Sequence, residues 1–239
     1  MNYIKNKIDR LMVSKKIMRI FYFYHFITGG INSKSLDVKF ENKKNRQEIV
    51  QEIIDIKKYK RYLEIGTFKN ELFGYIRCEE KTGVDPVSGG NIRKSSNDFF
   101  ATNKGKFDLI FIDGLHKYDQ VKKDINNSLK FLNNAGIILL HDCMPRNYYY
   151  QAVPRCQINW NGDTWKALVE IRTDERFDAY CLNADEGIGV IFKKENKNPL
   201  KLNTNKFSNL KYNDYFINYK KYLNLIEYED LIKIIKSYE

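Results

Sequence analysis

Residues 107–125 read FDLIFIDGLHKYDQVKKDI. From Phe107 to Ile112 every residue but Asp108 is apolar, the pattern of a strand covered on both faces. Asp113 and Gly114 end that run, and Val121, Ile125, Leu129 and Leu132 then recur at helical spacing, which predicts a helix over 118–133. A buried strand, a short turn and an amphipathic helix form the unit from which parallel sheets are built. Asp113 and His116 lie in the turn, at the carboxyl edge where such sheets bind ligands.

The same unit recurs on both sides. Upstream, RYLEIGTFKNELFGYI (61–76) predicts a strand over 61–66 and a helix near 70–79, and KTGVDPV (81–87) predicts a strand over 81–85. A further strand is expected near 92–96. Downstream, AGIILLHDCMP (135–145) gives a strand over 135–141, followed by a helix near 163–172. FDAYCLN and GIGVIFKK, separated by ADE, predict an antiparallel hairpin at the sheet edge. Ahead of the first strand, RQEIVQEIIDIKKY (46–59) places Ile49, Ile53, Ile54 and Ile56 where they can face a sheet. The fold class is therefore α/β: a Rossmann-like, mostly parallel sheet with an antiparallel edge hairpin and helical flanks at both termini. The expected division is a basic amphipathic helix and linker over 1–45, the α/β domain over 46–197, and a helical extension over 198–239 with a last helix at 227–237.

Composition narrows the partners. Lys and Arg total 41 against 30 Asp and Glu, a formal charge of +11, which favours anionic partners without naming one. Ile4, Ile8, Leu11 and Met12 share one helical face, and residues 1–20 carry six cations against Asp9. Such a helix could lie on an anionic membrane surface, or its aromatic end, FYFYHF, could pack on the domain or on a second subunit. The apolar stretch Ile17–Ile27 is interrupted by Arg19 and His25 and is too short to cross a bilayer. Cys78, Cys143, Cys156 and Cys181 show no paired or CxxC spacing, as expected of thiols in a reducing cytoplasm. The expected location is the cytoplasm, with the inner membrane surface as the place a basic helix could visit. Tyr and Lys interleave in the last forty residues, but no nucleic-acid-binding motif is present, so nucleic acid is not an expected partner.

Four strand ends carry polar groups. Gly66 lets a ligand approach the backbone, and Glu64 can accept from a ligand hydroxyl or orient an amine through water. Asp85 follows Glu64 by 21 residues, the interval at which adenosine-binding folds hold a ribose diol. Asp113 with His116, and His141 with Asp142, complete the set. Any one of these could be a helix cap or a turn residue; the coincidence of four is what points to a site.

These residues resemble a class I S-adenosylmethionine-dependent methyltransferase, and within that superfamily the bacterial methyltransferases of glycan and secondary-metabolite biosynthesis. The resemblance runs from LEIGT through GVDP, SSNDFF, FDLIFIDGLHKYDQVKKDI and GIILLHDCMP to NGDTWKALVEIR, residues 60 to 195. It implies that Glu64 and Gly66 line the methionine side of the cofactor, Asp85 holds the ribose, Asp98 and Phe99 lie near adenine, and Asp113 also borders the cofactor. It implies further that Asp113, His141 and Asp142 bind a divalent cation, magnesium or manganese, and that His116 is the base for methylating a hydroxyl of a sugar or another polar small molecule. An unperturbed imidazole is mostly neutral at cytoplasmic pH, as a base must be. Two departures stand out. Phe68, Lys69 and Asn70 replace the expected second glycine after Gly66, and His141 stands where a carboxylate is usual, a nitrogen ligand that suits manganese or iron better than magnesium. A nicotinamide-dependent oxidoreductase is the enzymatic alternative, but the GxGxxG turn is absent. A binding module for RNA or membrane with a vestigial cofactor site is the non-enzymatic one. The oligomeric state stays open, a homo-oligomer included.

Overall fold

The apolar runs pair side by side because each can satisfy its backbone only through a neighbour. The computed structural model describes residues 14–238. In it β1 (Arg61–Ile65), β2 (Glu80–Val84), β3 (Phe107–Ile112), β4 (Leu132–Leu140), β5 (Asp178–Leu182), β6 (Ile188–Phe192) and β7 (Leu225–Ile226) form one sheet in the order β2-β1-β3-β4-β6-β5-β7. Only β6 runs against the rest. The α/β class, the mostly parallel sheet and the antiparallel hairpin are as the sequence predicts, although β7 lies outside the hairpin and makes the edge.

Helices cover both faces. On one, α2 (Arg46–Lys57), α3 (Glu71–Tyr75) and α9 (Tyr228–Ser237) cover Tyr62, Leu109, Phe111, Leu139 and Val190. On the other, α4 (Ser96–Thr102), α5 (Tyr118–Phe131), α7 (Trp165–Ile171) and α8 (Tyr212–Leu223) cover Leu63, Ile65, Ile110, Ile112 and Leu140. Successive strand residues alternate between the two cores, so a substitution along β3 damages one or the other. Each fully buried side chain contributes roughly 1.5–3 kcal/mol. The helix α2 starts on a capping box, with Asn45 accepting from the Glu48 amide and Glu48 accepting from the Asn45 amide, worth about 1 kcal/mol.

One expectation needs correction. No strand forms at 92–96: Gly89 and Gly90 take positive φ, the loop folds back on Thr67 and Asn70, and a single parallel bridge, Val84 to Ile92, remains. Residues 198–239 supply β7 and two helices, one to each core, so the C-terminal stretch closes the sheet on both faces. The helix α8 itself lies in the Tyr- and Lys-rich stretch where sequence periodicity weakens, held there by Tyr212, Tyr215 and Leu223 in the core. At the other end α1 (Lys15–His25) and a π-helical turn at Phe26–Gly30 account for the described part of the basic helix. The Ile4, Ile8, Leu11 and Met12 stripe lies outside the described residues.

Candidate functional site at the carboxyl edge

Sheet register sets the site. Ile65 pairs with Val84 on one side and Ile112 on the other, and Ile112 pairs with Leu140. The next residue of each strand, Gly66, Asp85, Asp113 and His141, therefore stands in one row. Backbone bonds hold the row: Gly66 donates to the Val84 carbonyl at 2.8 Å, Asp113 to Ile65 at 2.8 Å and His141 to Ile112 at 3.0 Å. The strand order reverses between β1 and β3, the switch point at which open sheets of this kind bind ligands. There Gly66 has φ +90°, and a Cβ on it would meet the Asp113 carbonyl oxygen at 2.2 Å. Only glycine allows the two strand ends to pass so closely.

At the β3 and β4 ends, two acids and two histidines converge. His116 Nδ1 lies 2.9 Å from Asp142 Oδ2, and its Nε2 lies 3.2 Å from Asp113 Oδ1. The Trp160 carbonyl is 3.2 Å from the same Nδ1, and the Trp160 ring stacks on the imidazole with centroids 5.6 Å apart. His141 Nδ1 is 3.3 Å from Asp113 Oδ1 and 3.5 Å from Asp142 Oδ1, yet it is buried without a hydrogen-bond partner. Asn161 donates to Asp142 Oδ1 at 2.8 Å. Asp142 itself has φ +60°, an uncommon conformation for a residue with a side chain.

Asp185 was not singled out from the sequence. It sits in the β5–β6 turn, and because β5 runs with the parallel strands that turn falls on the carboxyl edge too. Its Oδ1 is 3.3 Å from His141 Nε2, and it accepts from the Arg46 amide and guanidinium. The ADEG turn carried the signal: an acid in a hairpin whose topology returns it to the ligand edge. Arg46, Trp160 and Asn161 carried none, since Arg46 reaches the cluster from the first turn of α2 and Trp160 and Asn161 from the loop ahead of α7.

Charge in this cluster balances in a definite way. Burial disfavours the charged form of His116, but Asp142 and Asp113 outweigh it and push its pKa up to about 10. His141 is likewise raised well above the ordinary value, with burial overcome by the same two carboxylates. Burial would raise Asp113, yet His141 and His116 hold it down to about 2, and Asp142 is lowered for the same reason. His116 is thus an imidazolium as it stands, contrary to the neutral ring expected from the sequence, because two carboxylates rather than none face it.

The ligand atoms of Asp113, His141 and Asp142 lie within 4.8 Å of one another. The unbonded, buried Nδ1 of His141 between two carboxylates is the donor set a divalent cation takes, and Asp185 on the far nitrogen is the outer partner that orients a ligating histidine. The residues present fit a cation.

Toward β1 and β2 the site is differently built. Glu64 is buried, and Tyr62 donates to it at 2.7 Å; burial dominates and raises its pKa to about 7. Asp85 accepts from the amides of Phe68 at 3.0 Å, Val87 at 2.7 Å and Ser88 at 2.9 Å. It therefore fixes the loops after β1 and β2, with less accepting capacity left for a ribose than a free carboxylate has. Asp98 accepts from Ser95 Oγ at 2.7 Å at the start of α4, and Phe99 packs in the core. Neither makes a hydrogen bond or ion pair with Glu64, Asp85 or Asp113 among the described residues. Phe68, Val87 and Leu115, one on each loop beyond β1, β2 and β3, are exposed. Apolar side chains displayed beside buried acceptors suit a ligand with both an aromatic and a polar part.

Residues 41–143 match the family model of a methyltransferase domain. No curated protein matches the chain. Solved structures with a similar chain path include a methyltransferase from Podospora anserina bound to SAH, 19% identical with TM-score 0.47 over 63% of this chain and 78% of that one. An O-methyltransferase from Bacillus cereus in complex with SAH is 14% identical, TM-score 0.46, over 62% and 80%. One from Streptomyces achromogenes, involved in tomaymycin synthesis and in complex with SAM, is 11% identical, TM-score 0.47, over 62% and 79%.

Proposed function

We propose, from the match of residues 41–143 to the family model of a methyltransferase domain, that the chain transfers the methyl group of S-adenosylmethionine to a hydroxyl of a sugar or a similar polar small molecule. The observation that carries this reading is the meeting of Asp113, His116, His141 and Asp142 within hydrogen-bond distance of one another at the switch-point edge of the sheet. Glu64, Gly66 and Asp85, with the exposed Phe68, Val87 and Leu115, form the cofactor side.

Methyl transfer from a sulfonium needs the acceptor oxygen in line with the departing sulfur, so positioning is the main contribution of the fold. A sugar hydroxyl is a weak nucleophile and must lose its proton as it reacts. The residues that would hold a cation are Asp113, His141 and Asp142, and a bound manganese or magnesium would lower the pKa of a coordinated hydroxyl while competing with both imidazoles for the carboxylates. Asp142 and the Trp160 carbonyl both accept at Nδ1 of His116, which keeps a proton on that nitrogen; with Asp113 and Asp142 engaged by a cation the field that makes the ring an imidazolium would weaken, and Nε2 would be free to give up its proton and take one from the acceptor. Stacking on Trp160 fixes the plane of the ring.

The test is incubation of the protein with methyl-labelled S-adenosylmethionine and a panel of nucleotide sugars, glycans and RNA, followed by mass spectrometry. A gain of one methyl on a hydroxyl of a sugar-containing acceptor is expected. Methylation of RNA alone would overturn the acceptor class, and tighter binding of NAD than of S-adenosylhomocysteine would overturn the cofactor.

A further inference from the structure

Of the large apolar side chains that the described residues expose, half fall between Ile20 and Ile31: Ile20, Tyr22, Phe23, Tyr24, Phe26, Ile27 and Ile31. They are not on a loose segment. The inner face of α1 is fastened to the domain by Met18, which is buried, by Tyr22 stacked on Tyr149 at 4.4 Å and by His25 Nε2, 2.8 Å from the Pro154 carbonyl. Fixing that face turns the opposite one outward, where Ile20, Phe23 and Ile27 follow one another at helical spacing and are 66%, 65% and 57% exposed. An apolar stripe held in place and left uncovered costs free energy in water unless something covers it.

Charge says what that is. Lys15, Lys16 and Arg19 all lie on the first turns of α1, and no Asp or Glu occurs between Asp9 and Asp37. An apolar stripe flanked by cations, with aromatic rings at the boundary, suits the interface of an anionic bilayer: acyl chains cover Ile20, Phe23 and Ile27, Tyr24 stays at headgroup depth, and the cations meet lipid phosphates. Self-association through the same face would bring the cations of two copies together with no acid to pair them. Among the described residues no helix is long and apolar enough to cross a membrane, so the contact is a peripheral one. We propose that the outward face of α1 and the turn Phe26–Gly30 is a docking surface for anionic lipid bilayers. The segment on which α1 rests, 148–160, begins with the short helix α6 (Tyr148–Gln151) and ends at Trp160 against His116, so docking would set the site beside the membrane surface.

Co-sedimentation of the full chain with phosphatidylcholine vesicles, with and without phosphatidylglycerol, tests this. At roughly fivefold per cation near the surface, three cations predict a preference for the anionic vesicles of about 10²-fold, falling as salt is raised. The double variant Phe23→Ser/Ile27→Ser should lose about tenfold or more of the binding, and Lys16→Gln/Arg19→Gln should lose most of the preference for anionic lipid, both with unchanged circular dichroism because all four side chains are exposed. Absence of binding to phosphatidylglycerol vesicles, or full binding by Phe23→Ser/Ile27→Ser, would overturn the proposal. A dimer in solution that the same double variant dissociates, with no vesicle binding by the wild type, would assign the face to a second copy and overturn it equally.

Discussion

His141 presents Nε2 to Asp185 Oδ1 at 3.3 Å while its Nδ1 faces Asp113 and Asp142. A carboxylate on the outer nitrogen keeps a proton there, so a cation that displaces the inner proton would meet a lone pair already aimed at it. Asp185→Asn should therefore weaken manganese binding about 10- to 100-fold, read by calorimetry on the purified protein. Unchanged manganese affinity with a lowered melting temperature would show that Asp185 serves only to anchor Arg46.

Chelation should reduce methyl transfer, and manganese should restore it. Asp142→Ala removes a carboxylate that also holds His116 and Asn161, so this variant should lose both metal response and turnover. Full turnover by wild type in excess chelator would remove the cation from the reaction.

His116→Gln keeps a side chain able to bond Asp142 but cannot receive the acceptor proton. Turnover should fall by about 10²- to 10⁴-fold with cofactor affinity and fold retained. Near wild-type turnover at saturating substrates would reject the role, and a variant that mainly unfolds would mark His116 as a structural residue.

Gly162 has φ +61°, and a Cβ there would lie 1.7 Å from the His116 carbonyl oxygen. Gly162→Ala must push the 160–163 loop away from His116, at a cost of at least about 1–3 kcal/mol. Both the melting temperature and turnover should drop. A variant with unaltered turnover would show that the contact between this loop and His116 is dispensable.

Asp124 in α5 is buried and remote from the carboxyl-edge cluster, and burial raises its pKa to about 6 against bonds from Ser96 and Gln120. An acid whose folded pKa lies above its unfolded value of about 3.9 holds its proton better in the folded state, so stability falls as pH rises from about 4 to about 6. Asp124→Asn should remove that fall and stabilise the protein at neutral pH by on the order of 2 kcal/mol. Parallel stability curves for the two proteins across this window would contradict it.

Legibility in the sequence followed the range of the physics. The alternation of apolar runs with a helical stripe is a local pattern, and it determined the parallel sheet, the hairpin and the helices over 46–57, 118–131 and 165–171 to within a few residues. The end of a buried strand is also local, because polarity returns where cover stops, and so Glu64, Asp85, Asp113, His141 and Asp142 could be picked out one by one. Whether they meet depends on register, and only the pairing of Ile65 with Val84 and Ile112, and of Ile112 with Leu140, put the strand ends in one row. Tertiary structure likewise decided that Asp85 spends its oxygens on three backbone amides, that Phe99 is core, and that Asp185, Trp160 and Asn161 belong to the cluster. It also decided the charge of His116, since a pKa depends on which carboxylates stand within a few ångströms, and those come from positions 3 and 26 residues away in the chain. Short-range patterning selects the elements; the electrostatics of a site also depends on contacts such as that of His116 with Asp142, which no local window contains.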